Sequence, residues 1–97
     1  MKILIWTDLA LDDYHLNIDY ILQEWSEKEA LQFIEDVDLV LQVLKSGIVE
    51  YKESNYKNVK ECVVCRQITL YYRHLTANKI ELLRFWNNMM EKKRLNF

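Results

Sequence analysis

The sequence predicts an α/β fold of the α+β kind, with an N-terminal strand and an antiparallel helix hairpin packed on an antiparallel sheet. Three observations carry that prediction. From Val59 to Trp86 the chain is dense in β-branched, aromatic and aliphatic residues, and Ile68, Leu70 and Tyr72 alternate with Thr69, Tyr71 and Arg73 at the period of two that a strand requires. From Asp8 to Lys45 the apolar residues recur instead at steps of three and four, the signature of amphipathic helices. A single glycine, Gly47, and the absence of proline leave no room for a flexible linker, so residues 1–97 read as one domain.

In chain order, Lys2 to Trp6 is a short apolar run that suits a strand added to the later sheet. Thr7 and Asp8 then offer side-chain oxygens to the free amides of a helix start. Leu11, Tyr14, Ile18, Ile21, Leu22 and Trp25 are the expected apolar face of a helix over Asp8 to Trp25. Ser26 and Glu29 have the spacing of a capping box and open a second helix, Ser26 to Lys45. Its stripe is Ala30, Phe33, Ile34, Val37, Val40, Leu41 and Leu44, and Gly47 is placed to end it in the left-handed conformation. Ile48 to Glu53 reads as a strand, Ser54 to Asn58 as a polar loop, and Val59 to Arg66 as the first long strand of a meander. After a polar break at Thr76 to Lys79, Ile80 to Trp86 is apolar on both faces apart from Glu81 and Arg84, so it needs cover on both sides. The tail from Asn87 to Phe97 shows neither period.

Hydrophobic residues make up 51% of the chain, enough for a packed core and too many for a disordered one. No apolar run reaches the length of a membrane span, and Met1 to Trp6 is too short for a signal peptide, so the expectation is a cytoplasmic protein without a membrane partner. Cys62 and Cys65 spell a C-V-V-C pair. Residues three apart on a strand point to opposite faces, which argues against a disulfide or a metal site, and the expectation is reduced thiols, no metal and no cofactor. His15 reads as structural. The net charge of −2 conceals a division of the chain. Residues 1–45 carry ten acidic and three basic side chains, whereas residues 46–97 carry five acidic and ten basic. The basic half suits phosphates or an acidic protein.

The order strand, helix hairpin, antiparallel meander and basic tail resembles the RelE/ParE family of bacterial type II toxins. The likeness rests on the IWT opening, on EWSEKEALQF at the helix junction, and above all on ITLYYRHLTANKIELLRFWNN. The resemblance implies a small toxin that a cognate antitoxin wraps and inactivates. RelE-like members are similar to ribosome-dependent endonucleases of messenger RNA, and ParE-like members poison DNA gyrase. The first reading that the resemblance implies is a RelE-like endonuclease with ribosome and messenger RNA as targets; the alternative is a non-enzymatic ParE-like inhibitor of gyrase, or a degenerate member that acts only by protein binding.

Cleavage of RNA through its own 2′-hydroxyl needs a group to activate that oxygen, cations for the developing phosphorane charge, and a proton donor for the leaving oxygen. Lys60 falls where the RelE-like branch carries a basic residue, and His74, a side chain whose ordinary pKa lies near neutrality, stands at a strand end beside Arg73. These three form the implied catalytic set. Lys57, Arg66, Arg84, Lys92, Lys93 and Arg94 form the implied target-binding set. The set is incomplete: Thr69 occupies one expected arginine position, and Met89 and Met90 occupy another after the last strand. Tyr71, Tyr72 and Trp86 offer rings that could stack on bases or pack the core.

Overall fold

Thr7 and Ser26 each start a helix by the same chemistry. The Thr7 hydroxyl accepts the Ala10 N–H at 3.1 Å, and the Ser26 hydroxyl accepts that of Glu29 at 3.4 Å while also meeting the Glu29 carboxylate. The computed structural model describes residues 1–97. It runs β1 (Ile3–Trp6), α1 (Asp8–Glu24), α2 (Glu27–Ser46), β2 (Lys52–Glu53), β3 (Lys60–Cys65), β4 (Ile68–Thr76), β5 (Lys79–Asn87) and a 3₁₀ turn at Lys92–Arg94. Gly47 ends α2 at φ 72°, where its N–H reaches the Leu44 carbonyl. The five strands form one sheet in the order β1-β5-β4-β3-β2. β1 lies parallel to β5 and every other neighbour is antiparallel.

The helix hairpin covers one face of the sheet. Ala10, Phe33, Val37 and Leu44 from the helices meet Cys62, Val64, Ile68, Leu70, Tyr72, Ile80, Leu82 and Phe85 from the strands. Trp6, Tyr14 and Phe85 form an aromatic knot within it, with ring centroids 5.3–6.0 Å apart. The other face is closed by the tail, which places Leu95 over Val59, Tyr71, Leu83 and Trp86. Phe97 packs edge-on against Tyr56 and Tyr71. A bulge makes this two-sided burial possible. Tyr71 pairs with Arg84 and Tyr72 with Leu82, so Leu83 is extra, and Leu82 and Phe85 share the helix face while Leu83 and Trp86 share the other.

β1 stops at Trp6 opposite Leu82, yet β5 continues to Asn87. The open edge of β5 is met by α1. The Thr7 N–H and hydroxyl donate to the Leu82 carbonyl at 3.2 and 2.8 Å, the Asp13 carboxylate accepts the Phe85 N–H at 3.1 Å, and the Asn17 amide donates to the Phe85 carbonyl at 3.0 Å. Side chains thus replace a strand, and no buried backbone group need go unpaired. Arg84 locks the arrangement through two bonds to Asp13, at 2.7 and 2.9 Å, and one to the Asn96 carbonyl at 2.8 Å.

Several expectations are corrected. The apolar face of α1 is rotated: Leu11, Leu22 and Trp25 are exposed, whereas Ala10 and Asn17 are buried because the helix must present its polar groups to the β5 edge. The strand expected over Ile48 to Glu53 is only Lys52–Glu53: β3 runs on to Cys65, but the Tyr51 N–H turns instead to the Tyr72 hydroxyl at 3.2 Å. The break expected over Thr76 to Lys79 narrows to Ala77 and Asn78, because Thr76 and Lys79 pair with each other. Cys65 does not diverge from Cys62. A bulge after Val63 returns it to the helix side, although both thiols are free. The tail is a short helical turn followed by a buried anchor. His15 is exposed and packs edge-on beside Tyr14.

Because Leu95 seals the second apolar cluster, Leu95→Ala should lower the unfolding free energy by about 2 kcal/mol in urea titrations. An unchanged midpoint would mean that the tail does not hold Tyr71 and Trp86 in place.

Candidate functional site

Alternation along the meander sets the position of each candidate side chain. Lys60 opens β3 opposite Tyr72, and His74 lies two residues further along β4, so Lys60, Tyr72 and His74 fall on one side of the sheet. The segment between α2 and β3 crosses that end. It brings Glu53 to 2.7 Å and Glu50 to 3.4 Å from the Lys60 ammonium, and Glu50 to 3.1 Å from the His74 ring. Beyond Lys60 nothing pairs with the outer edge of β4, and there a cavity of about 460 Å³ opens. It is lined by Glu53, Asn58, Lys60, Arg73, His74 and Leu75. The three residues of the expected catalytic set therefore share one cavity.

Their charges are already answered. Arg73 pairs across the hairpin with Glu81 at 2.7 Å, and Lys60 and His74 share Glu50. The hydrogen bond that Lys60 donates to Glu53 holds its ammonium above the usual lysine value; burial acts to lower it, and Glu50 adds to the raising side. For Glu50, burial acts to raise the carboxyl. The charge of His74 and the hydrogen bonds from Lys60 and His74 together outweigh it and hold the group below the ordinary range. Burial pushes the Tyr72 phenol up to about 12, and its oxygen accepts the Tyr51 N–H at 3.2 Å, so it stays neutral at physiological pH. Two permanent cations, Lys60 and Arg73, face three carboxylates, Glu50, Glu53 and Glu81. Such a cavity can position a proton on an imidazole, but it presents little net positive charge to a phosphodiester.

The target-binding set is scattered. Arg84 is nearly sequestered, 11% exposed in its side chain, and serves the Asp13 pair. Arg66 lies at the opposite end of β3, on a groove of about 210 Å³ shared with Trp25, Gln32 and Phe33. Lys92, Lys93 and Arg94 form the exposed turn on the face away from the helices, with Lys93 beside Glu91 at 3.3 Å. Lys57 is exposed in the loop before β3. Thr69, at an expected arginine position, is buried and accepts a hydrogen bond from the Asn88 amide at 2.9 Å. Met89 and Met90 are exposed and face no cation site. Tyr71, Tyr72 and Trp86 are core residues, each at most 3% exposed, and cannot stack on a base without unpacking. Sequence reasoning missed Glu50 and Glu53. Their only signal is a pair of acids in a segment that the alternation assigned to a strand.

The arrangement of strands and helices has solved counterparts. One is a chain of the chromosomal ParDE toxin–antitoxin system from P. aeruginosa, with a TM-score of 0.75 and 20% identity over 90% of this chain and 96% of that one. Another is a copper-bound mutant toxin from Helicobacter pylori, with a TM-score of 0.64 and 14% identity over 92% of this chain and 97% of that one. The fold is that of the RelE/ParE toxins. No protein-family model and no curated protein matches the sequence. Identities this low leave the toxin fold as what is shared, and the residues of the cavity must be judged on their own chemistry.

Glu50 gives a test of the cavity's electrostatics. Its folded-state pKa lies below its unfolded value, so its contribution is present above the ordinary carboxylate range and disappears as pH falls through the depressed value. Between about pH 5 and 3 the wild type should lose stability more steeply than Glu50→Gln, by under about 1 kcal/mol for so exposed a group. Parallel acid-unfolding curves for the two proteins would contradict the pairing with His74 and Lys60.

Proposed function

We propose that this chain is the toxin of a type II toxin–antitoxin pair, that a cognate antitoxin neutralises it, and that it acts by binding a protein target, as ParE-like inhibitors of DNA gyrase do, without cleaving RNA. The fold supports the first two parts of this reading. The observation that carries the third is that every cation of the candidate catalytic cavity is matched by a carboxylate, while Arg84 is consumed by Asp13. A phosphorane bearing two negative charges would meet a nearly neutral cavity, and Met89 and Met90 supply no replacement. Loss of one donor of this kind typically costs about 100- to 1,000-fold in rate. Lys57, Arg66, Lys92 and Arg94 make no ion pair within the chain and remain for an acidic partner surface.

A second reading, a ribosome-dependent endonuclease of messenger RNA, is favoured by one observation, the convergence of Lys60, Arg73 and His74 on a single open cavity. In that reading His74 moves the proton and Lys60 and Arg73 hold the phosphate after Glu50 and Glu53 swing aside.

Induction of the chain alone in bacteria should arrest growth, and coexpression of the protein encoded beside it should relieve the arrest. Normal growth with abundant soluble chain would contradict a toxin. Messenger RNA from arrested cells should be intact by primer extension, and purified chain should block supercoiling by gyrase. New cuts at codon positions with normal supercoiling would replace the binding reading with the endonuclease. Met89→Arg should leave toxicity unchanged if the target is a protein, and should raise it if RNA cleavage is the activity.

A further inference from the structure

β1 is the terminal strand of the sheet, parallel to β5 on one side and without a strand on the other. The Ile3 N–H donates to the Asn78 carbonyl at 2.7 Å and the Thr7 N–H to that of Leu82 at 3.2 Å, so the odd-numbered residues of the strand turn their backbone groups towards β5. The residues between them face the other way. The Lys2 N–H is taken by the Lys45 carbonyl at 2.8 Å, which closes the edge at its start. Leu4 and Trp6 are left with both N–H and C=O directed away from the sheet.

The surroundings of this edge are apolar and charged in a set order. A groove of about 640 Å³ separates it from α2 and is lined by Leu4, Trp6 and Leu41 together with Asp38, Gln42 and Lys45. On the face away from the helices Ile3 and Ile5 are 55% and 36% exposed. An exposed edge with apolar side chains is a template for pairing. Lys2 and Lys45 stand at the start of β1. Asp8 stands just past its end, and Asp38 lies near Tyr14, whose ring packs on Trp6 at 5.4 Å. None of these four charges makes an ion pair within the chain.

We propose that β1 is the seam of a homodimer, in which two copies pair their β1 strands antiparallel about a two-fold axis at Ile5, Leu4 of each exchanging backbone hydrogen bonds with Trp6 of the other. The register follows from the geometry. Only Leu4 and Trp6 have both outward groups free, and the alignment that uses both in both copies sets Leu4 against Trp6 and Ile5 against Ile5. In that alignment Lys2 falls opposite Asp8 of the second copy, and the Lys45 end of one α2 faces the Asp38 end of the other. An inverted copy of the same edge is therefore the strand whose charges match it. Ile3 and Ile5 of both copies join into one apolar strip, and the sheet becomes continuous through the dimer. A seam this short sets a dissociation constant on the order of micromolar.

The test is sedimentation velocity of the purified chain across a dilution series. The wild type should move from twice its 11.8 kDa mass towards that mass as it is diluted through the micromolar range. The variants Asp8→Lys with Asp38→Lys, and Lys2→Glu with Lys45→Glu, should each stay monomeric alone and form a dimer when mixed in equal amounts. Amide hydrogen exchange of the unmutated chain gives a reading that does not depend on the variants folding: Leu4 and Trp6 should exchange at least ten-fold more slowly in the concentrated sample than in the dilute one. A wild type that remains monomeric at all concentrations, or a dimer in which Leu4 and Trp6 exchange at the same rate as in dilute solution, would overturn the proposal. The first result would leave the edge to a different chain and the second would move the interface elsewhere.

Discussion

The rest of the structure depends on how the edge of β5 is satisfied where β1 runs out. β5 lies between β1 and β4, and its residues fill both apolar clusters. Beyond Leu82 its outer edge would expose backbone groups to a site that α1 buries. Thr7, Asp13 and Asn17 supply the missing hydrogen bonds, and Arg84 neutralises the carboxylate that this brings inside. The Asp13 side chain is only 12% exposed, so a carboxylate there without its arginine would carry a desolvation cost of a few kcal/mol, and the two residues stand or fall together. The same guanidinium lies 5.1 Å from the centroid of the Trp86 ring and holds the Asn96 carbonyl, which ties the tail to the sheet. One interaction thus joins α1, β5 and the C-terminal segment.

That commitment shapes what the surface can do. Arg84 is unavailable to a ligand, Thr69 is buried, and the tail covers the face on which Tyr71 and Trp86 lie. Of the candidate catalytic residues, those that remain open line the cavity past the start of β3, where Glu50 and Glu53 balance Lys60 and Arg73 pairs with Glu81. The charge division read from the chain also takes a spatial form. The acidic half builds the helical layer with β1, and the basic half builds the other four strands and the tail. Binding a protein partner requires only such surfaces, whereas phosphoryl chemistry requires an excess of fixed positive charge that this cavity does not present.

Much of the fold was legible because the periods are clean. Ile68 and Leu70 of the alternating stretch, and Ile80 and Leu82 of the run that needs cover on both sides, are at most 2% exposed, and Ser26 and Gly47 bound α2 where their chemistry places them. The errors have a common cause in tertiary demands that override local pattern. Apolar periodicity favoured Leu11, Leu22 and Trp25 for the α1 face, but the β5 edge called for Asn17 and Asp13. A strict period of two separated Cys62 from Cys65, and a bulge cancelled it. At the site, the cations were found because lysine, arginine and histidine attract attention on a strand. Glu50 and Glu53 were not, because no local rule says which acid in a connecting segment will fold back onto Lys60.

The coupling of Asp13 to Arg84 is measured most directly by a double-mutant cycle of Asp13→Ala and Arg84→Ala in urea unfolding. Each single variant should lose about 3 kcal/mol or more, and the double variant should lose distinctly less than their sum, with a coupling of at least about 1.5 kcal/mol. Additive losses, or single losses below about 1 kcal/mol, would contradict the claim that this pair holds α1, β5 and the tail together.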